Sequence, residues 1–150
     1  MKKRYVLIPI ALLLLLLFIW VSWAGLWTVS FIGTPNATIV YDYTVYEKGA
    51  DGEPIPRRIT FEEELTEAET NAVVKILEGK NYDFYFGSTP SCGFDQNIAI
   101  IVNGVRFAIA CDSCGTLLSY RNLQYVEISN EERAVLEELF TSRGGKFPCI

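Results

Sequence analysis

The sequence contains no histidine among its 150 residues. Without an imidazole the chain cannot assemble a Ser–His–Asp triad or a Cys–His pair, because both use histidine as the general base. Metal sites that include a histidine ligand are excluded for the same reason. The absence removes several common hydrolytic and zinc-dependent activities, and no other catalytic constellation stands out in the chain.

Acidic residues are absent before Asp42, and basic residues are few after the N-terminus. The chain has 13 Lys and Arg against 18 Asp and Glu, and three of the basic residues are Lys2, Lys3 and Arg4. The rest of the chain therefore has 10 basic and 18 acidic residues, a net charge of −8. Such a surface repels phosphate backbones, and no basic cluster interleaves with aromatic residues, so no nucleic-acid partner is expected.

Charged residues are also missing from positions 5–32, a run of 28 residues with a leucine block at its centre. A helix of roughly 20 apolar residues spans a bilayer. Residues 1–4 form a basic flank, which by the positive-inside tendency stays in the cytoplasm. We therefore predict a single-pass cell-membrane anchor at 5–32, in contact with lipid, and an extracytoplasmic domain at 33–150.

A cleaved signal peptide is the competing interpretation of the same segment. Ser22-Trp23-Ala24 fits a small-x-small cleavage site that follows a basic n-region and an apolar stretch. The apolar run continues past this site to Ile32, further than a cleavable peptide normally extends, which favours an uncleaved anchor. Both interpretations place the domain outside the cytoplasm.

The patterns of apolar residues in positions 33–150 predict strands and two helices. Alternation of apolar and polar residues predicts strands near 39–45, 59–61, 82–86, 98–102, 105–109, 116–120 and 124–128. Capping boxes at 66–69 and 129–132 each begin a helix. The apolar stripes of these helices are Leu65, Ala68, Ala72, Val73, Ile76 and Leu77, and Val135, Leu136, Leu139 and Phe140. The predicted fold class is α+β: an antiparallel sheet with two packed helices, preceded by one N-terminal transmembrane helix.

Asn103-Gly104 is the strongest local signal in the sequence. Both residue types tolerate positive φ, which a two-residue type I′ hairpin turn requires, so Val102 is expected opposite Val105. Alternate residues of the flanking strands then share the core face of the sheet: Ile98, Ile100, Val102, Val105, Phe107 and Ile109.

The four cysteines are the only residues that suggest a specific chemistry: Cys92, Cys111, Cys114 and Cys149. An even number of cysteines in an exported domain is typical of structural disulfides. If the 102–105 register continues along the hairpin, paired positions sum to 207 and Cys92 lies close to Cys114. Cys111 shares a face with Ile109, where the C-terminal tail could dock, so the expected pairs are Cys92–Cys114 and Cys111–Cys149.

Two other interpretations of the cysteines stay open. Cys111-Asp112-Ser113-Cys114 has the C-x-x-C spacing of a redox dithiol, although a strand rather than a helix is predicted to follow it. Four thiolates could also hold a structural zinc ion, but only one close pair of cysteines is present, where strong zinc signatures have two. No cofactor and no metal ligand are assigned.

Other groups that could bind or react show no pattern that separates them from core or surface. The aromatic cluster at 82–86 is typical of core or interface and is the first surface to consider for a ligand. Carboxylates at Asp42, Asp51, Asp83, Asp95 and 62–64 have the spacing of ordinary surface charge. No catalytic residue is assigned.

Short motifs at 91–94, 110–114 and 145–149 resemble those of small exported or membrane-anchored domains of Gram-positive bacteria. The resemblance covers about residues 65–150 and implies the compartment, but that family has no assigned activity. The expected function is a membrane-anchored extracytoplasmic binding or interaction module, non-enzymatic and disulfide-stabilised, with an unidentified ligand or protein partner. The alternatives are a thiol–disulfide oxidoreductase acting through Cys111 and Cys114, and a membrane-tethered immunity or inhibitor protein.

Overall fold

The computed structural model describes residues 4–23, 34–84, 93–110, 114–119 and 124–146. The first element is α1, Arg4–Trp23, an α-helix of 20 residues. Its described side chains, at positions 8–19, are all exposed. Among the described residues, no helix combines the length and the apolar character that crossing a membrane requires. The remainder of the predicted 5–32 segment lies outside the described residues.

The sheet and two further helices confirm the predicted α+β class. The sheet has the strand order β2-β1-β4-β5-β6-β7-β3, and all its pairings are antiparallel. Its strands are β1 Ala37–Lys48, β2 Pro54–Glu64, β3 Asp83–Phe84, β4 Phe94–Val102, β5 Val105–Ala110, β6 Thr116–Ser119 and β7 Gln124–Glu127. The helices are α2 Glu67–Leu77 and α3 Asn130–Thr141. They contact each other, and α3 also contacts β1.

Strands β1 and β2 form the predicted hairpin, which is longer than the alternation of apolar residues indicated. Eleven residue pairs join the strands, from Thr38 opposite Glu64 to Lys48 opposite Pro54. Strand β4 pairs with β1 only as far as Tyr41. Among the described residues, the outer half of this hairpin therefore extends beyond β4, the strand that pairs with the other side of β1.

The β4–β5 turn has the predicted geometry. Asn103 has φ 47° and Gly104 has φ 78°, and Val102 faces Val105. The Asn103 side chain also accepts a hydrogen bond from the Asn36 backbone N–H at 3.1 Å, which ties the turn to the start of β1. The predicted core face of this hairpin is buried, apart from Val105, which is half-buried.

Both predicted capping boxes are present, but the buried faces of the helices differ in part from the prediction. The Thr66 and Ser129 side chains accept from the N–H of Glu69 and Glu132, whose carboxylates accept in return from the cap backbone. On α2, Thr70 and Val74 are buried and Ala68 is exposed.

On α3, Val135 is 43% exposed, so its assignment to the apolar stripe was wrong. Arg133 takes that place at 6% exposure, because its long aliphatic stem packs while its charged head finds polar partners.

Both helices cover the same face of the sheet, and the core lies between this face and the helices. Its largest fully buried side chains include Tyr41, Tyr82, Phe107 and Phe140. Tyr41 lies beside Phe61 at 5.2 Å between ring centroids and beside Phe140 at 6.2 Å. The core therefore reaches from β2 at one edge, across β1, to α3.

Candidate functional site

Three of the four cysteines adjoin, in the sequence, strands that begin or end at one end of the sheet. Because β4 and β5 are antiparallel, the start of β4 at Phe94 and the end of β5 at Ala110 lie together. β6 is antiparallel to β5 and begins at the same end with Thr116. Cys92 precedes β4, Cys111 follows β5 and Cys114 precedes β6, and we call this end of the sheet the cysteine end.

Cys114 is the one cysteine within the described residues, and it is disulfide-bonded. Its carbonyl oxygen accepts hydrogen bonds from the Thr116 backbone N–H at 2.8 Å and from Arg133 Nη1. Arg133 is held in turn by Glu137, with 2.6 Å between Nε and Oε1. The backbone carbonyl of Cys114 is thus held by the backbone of Thr116 and by the buried guanidinium of Arg133.

Gly115 brings the segment between Cys114 and β6 into close backbone contact with the end of β7. The Gly115 carbonyl accepts from the Ile128 N–H at 2.8 Å, and a Cβ on Gly115 would lie 2.5 Å from the Ile128 carbonyl oxygen. Only a residue without a side chain permits this approach. Strand β6 follows directly, so no helix N-terminus is present after Cys114 to lower the pKa of a thiol.

The hairpin does not keep the register from which Cys92 was expected to lie close to Cys114, so that expectation was wrong in its premise. Paired positions sum to 207 near the turn, but the β4–β5 ladder is irregular between Phe94 and Ala99, and Phe94 lies opposite Ala110. A β-bulge of this kind places extra residues on one strand and changes every pairing beyond it. Cys92, Cys111 and Cys149 lie outside the described residues, so the pairs Cys92–Cys114 and Cys111–Cys149 remain predictions.

The C-terminal segment returns to the sheet, as predicted, through residue 146. The Lys146 backbone N–H donates to the Tyr41 hydroxyl at 3.0 Å, and that hydroxyl donates to the Lys146 carbonyl. Lys146 Nζ lies 3.1 Å from Glu47 Oε1, further along β1. Since β1 is parallel to β5, Glu47 lies toward the cysteine end, and the Lys146 side chain extends in that direction.

The described part of the 82–86 aromatic cluster belongs to the core. Tyr82 is fully buried, its hydroxyl donates to the Leu77 carbonyl at 2.9 Å, and burial raises the pKa of this phenol. Phe84 ends β3, and residues 85 and 86 lie outside the described residues. Tyr82 therefore stabilises the junction between α2 and β3 and does not line a binding surface.

The carboxylates with altered titration are engaged in ion pairs and helix caps. Hydrogen bonds from Arg58 and Thr60 lower the pKa of Asp42 to about 2, and its side chain is about one-third exposed, at 32%. The pKa of Glu47 is lowered by Lys146, and that of Glu69 by the backbone of its own capping box. A carboxylate held in its charged form in this way is a poor general acid.

Two other predicted carboxylates accept local turn hydrogen bonds. Asp95 accepts from the Asn97 N–H at 2.8 Å and Asp51 from the Glu53 N–H at 3.3 Å. Asp83 lies in β3, and the acidic run at 62–64 ends the exposed strand β2. In the parts of the chain that the structure describes, no three His, Cys, Asp or Glu residues cluster as metal ligands would.

Two arginines organise the packing of α3, and sequence analysis overlooked both. Arg133 connects α3 to Cys114, as described above. Arg143 lies 3.0 Å from both Glu63 and Glu69, and so joins the end of β2 and the start of α2 to the segment after α3. Arg133 has helical spacing with Leu136 and Phe140, and this spacing was the signal in the sequence that Arg133 lies on the buried face of α3.

Comparison with models of protein families, with curated proteins and with solved structures finds no match for this chain. The resemblance to small exported domains of Gram-positive bacteria therefore stays a prediction, and the geometry above stands on its own.

Proposed function

We propose that this protein is a membrane-anchored module whose α+β domain lies outside the cytoplasm and binds a protein or ligand without catalysing a reaction. Residues 5–32 would contact the lipid bilayer, and residues 33–150 would carry the binding surface. The observation that carries the proposal is the run of 28 uncharged residues directly after Lys2, Lys3 and Arg4.

The character of α1 supports attachment to a membrane. Its large apolar side chains between positions 8 and 19 are 47% to 67% exposed, so the described part of the domain does not bury them. Leucine and isoleucine occur around the whole circumference of this stretch, whereas a helix that packs on a domain surface shows one apolar stripe. Transfer of such a helix from water to a lipid interior is strongly favourable, at roughly 25 cal/mol for each Å² of apolar surface.

The outer half of the β1–β2 hairpin supports a binding role. Among the described residues it projects beyond the β1–β4 pairing, and Tyr46 and Ile55 on it are 72% and 55% exposed. Large apolar side chains near the tip of a projecting hairpin are well placed to contact a partner. Two carboxylates of β1, Asp42 and Glu47, are paired with arginine and lysine, which favours recognition over acid–base chemistry.

The proposed disulfides have a structural role. Cys114 is disulfide-bonded, and its backbone is fixed by Thr116 and Arg133. Lys146, three residues before Cys149 in the sequence, extends its side chain to Glu47 in the direction of the cysteine end, which supports the pair Cys111–Cys149. Each bridge would contribute roughly 2–4 kcal/mol to a domain whose total stability is on the order of 5–15 kcal/mol.

A topology experiment tests the anchor and the compartment together. Full-length protein in intact bacteria is treated with a membrane-impermeant thiol reagent after mild reduction, and membranes are separately extracted with alkaline carbonate. We expect labelling in intact cells, and retention in the carbonate-washed membranes. A variant with Lys2, Lys3 and Arg4 changed to Glu is the control, because it loses the positive flank and should be labelled less. Protection of the wild-type thiols in intact cells would contradict the proposal.

A count of thiols by mass spectrometry separates the binding module from the oxidoreductase. With all cysteines blocked before extraction, we expect no free thiol and cross-linked peptides that join Cys111 to Cys149. A Cys111–Cys114 bond, or a half-reduced pair at these positions, would instead favour a thiol–disulfide oxidoreductase. A separate pull-down that recovers a toxin or a protease with the protein would identify the immunity or inhibitor function.

A further inference from the structure

Among the residues that the structure describes, strand β2 forms one edge of the sheet, with no strand on the side away from β1. It is the first strand in the order β2-β1-β4-β5-β6-β7-β3, and nine of its 11 residues are exposed. The two half-buried residues are Ile59 and Phe61, which pack against the core from the helix-covered face. An edge strand of this length offers a row of backbone donors and acceptors to another strand.

The backbone groups that point away from β1 belong to the even-numbered residues of β2. Leu65 donates to the Ala37 carbonyl and Gly49 donates to the Glu53 carbonyl, so odd-numbered residues exchange the bonds between β1 and β2. Because bonded and non-bonded pairs alternate in an antiparallel ladder, the even-numbered residues face the open side. Pro54 and Pro56 fit this assignment, since a proline cannot donate to a neighbouring strand.

The open side therefore divides into a blocked part and a free part. Pro54 and Pro56 have no N–H to offer, whereas Arg58, Thr60, Glu62 and Glu64 each present one donor and one acceptor. The free part is centred near Thr60, and its charges are positive before this centre and negative after it.

We propose that β2 pairs antiparallel with β2 of a second copy of this chain, with Thr60 of each copy facing Thr60 of the other. In this register Arg58 lies opposite Glu62 of the second copy and Arg57 lies opposite Glu63. Ile59 lies opposite Phe61, which continues the apolar row of the core face across the junction. The inference concerns the domain alone and stands whether or not α1 enters a membrane.

Neighbouring registers lose this complementarity. Centring the pair on Phe61 retains only the pairing of Arg58 with Glu64, and centring it on Ile59 places no opposite charges together. Centring it on Arg58 or on Glu62 sets like charges opposite each other, which is unfavourable across strands. The sequence Arg-Arg-Ile-Thr-Phe-Glu-Glu is thus self-complementary in one antiparallel register.

The side chains of the central pair, Arg58 and Glu62, are available for this contact, whereas Arg57 and Glu63 already form ion pairs with Glu47 and Arg143. Arg58 uses its Nε and one terminal nitrogen on Asp42, at 2.7 and 2.6 Å, and a guanidinium has five N–H donors. Its side chain is 70% exposed. Glu62 is exposed and forms no ion pair within the described residues, so its carboxylate is available to Arg58 of the second copy.

Charge reversal in the full-length chain tests the register. Glu62→Arg places a second guanidinium opposite Arg58, and we expect the dissociation constant of the dimer to rise about tenfold, because two attractive pairs become repulsive. Glu64→Arg is the matched control: it makes the same change in net charge on the same strand, but lies opposite Pro56. We expect it to leave the constant within about twofold. Sedimentation equilibrium in a density-matched detergent measures both.

A mixture of two variants distinguishes pairing from misfolding. Arg58→Glu alone should weaken the dimer like Glu62→Arg, but differently tagged copies of the two variants should form a mixed dimer as tight as the wild type. In that mixture every reversed residue again faces an opposite charge. A mixed dimer no tighter than either parent would overturn the register.

Cross-linking locates the contact without relying on charge. Thr60→Cys should form a dimer linked between copies under mild oxidation, since paired residues in an antiparallel ladder lie about 5.5 Å apart between Cα atoms. Ile55→Cys, exposed on the same strand, is the control, because its two copies would be about 33 Å apart. Equal cross-linking at both positions, or a monomer at every concentration tested, would refute the proposal, and neither outcome would bear on membrane topology.

Discussion

Gly115→Ala tests how closely the backbone beside Cys114 approaches the end of β7. A Cβ at this position would lie 2.5 Å from the Ile128 carbonyl oxygen, well inside van der Waals contact. The carbonyl cannot move away freely, because the Ile128 N–H is bonded to the Gly115 carbonyl at 2.8 Å. Forcing an extra methyl into a packed site of this kind costs about 2 kcal/mol, which corresponds to a fall of about 8 °C in Tm for a domain of this size.

Gly93→Ala is the matched control for this measurement. A Cβ on Gly93 meets nothing within 4 Å, and neither glycine has a positive φ. Both substitutions reduce the entropy of the unfolded chain equally, by about 0.4–1 kcal/mol, so the difference between them isolates the clash. Thermal unfolding of the full-length protein, followed by circular dichroism, measures both. If Gly115→Ala unfolds at the same temperature as Gly93→Ala, the close approach does not exist.

Three further predictions concern ion pairs and a turn. Arg58→Met should raise the pKa of Asp42 from about 2 toward its ordinary 3.8, as measured by NMR titration of the carboxyl carbon. Because the folded pKa is the lower one, the stabilisation by this pair is present above pH 4 and fades as the pH falls toward 2. Arg143→Met should cost about 2 kcal/mol in urea unfolding, since its side chain is 17% exposed and bridges two carboxylates. Asn103→Ala should cost about 1 kcal/mol, because alanine is strained at φ 47°.

Each of these predictions has a control on the same chain. Arg57→Met removes an ion pair whose arginine is 65% exposed and should change stability by less than about 0.5 kcal/mol. Asn103→Gly should be tolerated better than Asn103→Ala, since glycine adopts positive φ without strain. An Asp42 pKa that does not respond to Arg58→Met, or equal losses for Arg57→Met and Arg143→Met, would contradict the assigned roles.

The sequence predicted those parts of the fold that depend on residues close together in the chain. The turn at Asn103 and Gly104 was predicted to the residue, because both positive-φ positions and the alternating strands lie within a dozen residues. The caps at Thr66 and Ser129 were predicted equally well, since a capping box spans four residues. Local chemistry decides these features almost alone.

Features that depend on contacts across the chain were not predicted. Nothing local marks the irregular pairing between Phe94 and Ala99, yet it removes the argument for which cysteine faces Cys114. Arg133 resembled surface charge on α3, because its buried partner at Cys114 lies 19 residues away. Ala99 and Ala108, which alternate with the predicted core residues of this hairpin, are also fully buried, and the sequence analysis made no prediction for them.

The contact between Tyr41 and Lys146 has a consequence for the order in which the domain folds. The two residues are separated by 105 positions in the sequence, and Tyr41 is fully buried in the core. Strand β1 therefore completes its environment only after a residue 105 positions further along the chain has been synthesised. Such long-range closure is slow compared with the formation of the 103–104 turn. Until then, the Tyr41 side chain lacks this partner, so β1 is the part of the sheet that we expect to be most accessible to proteases during synthesis.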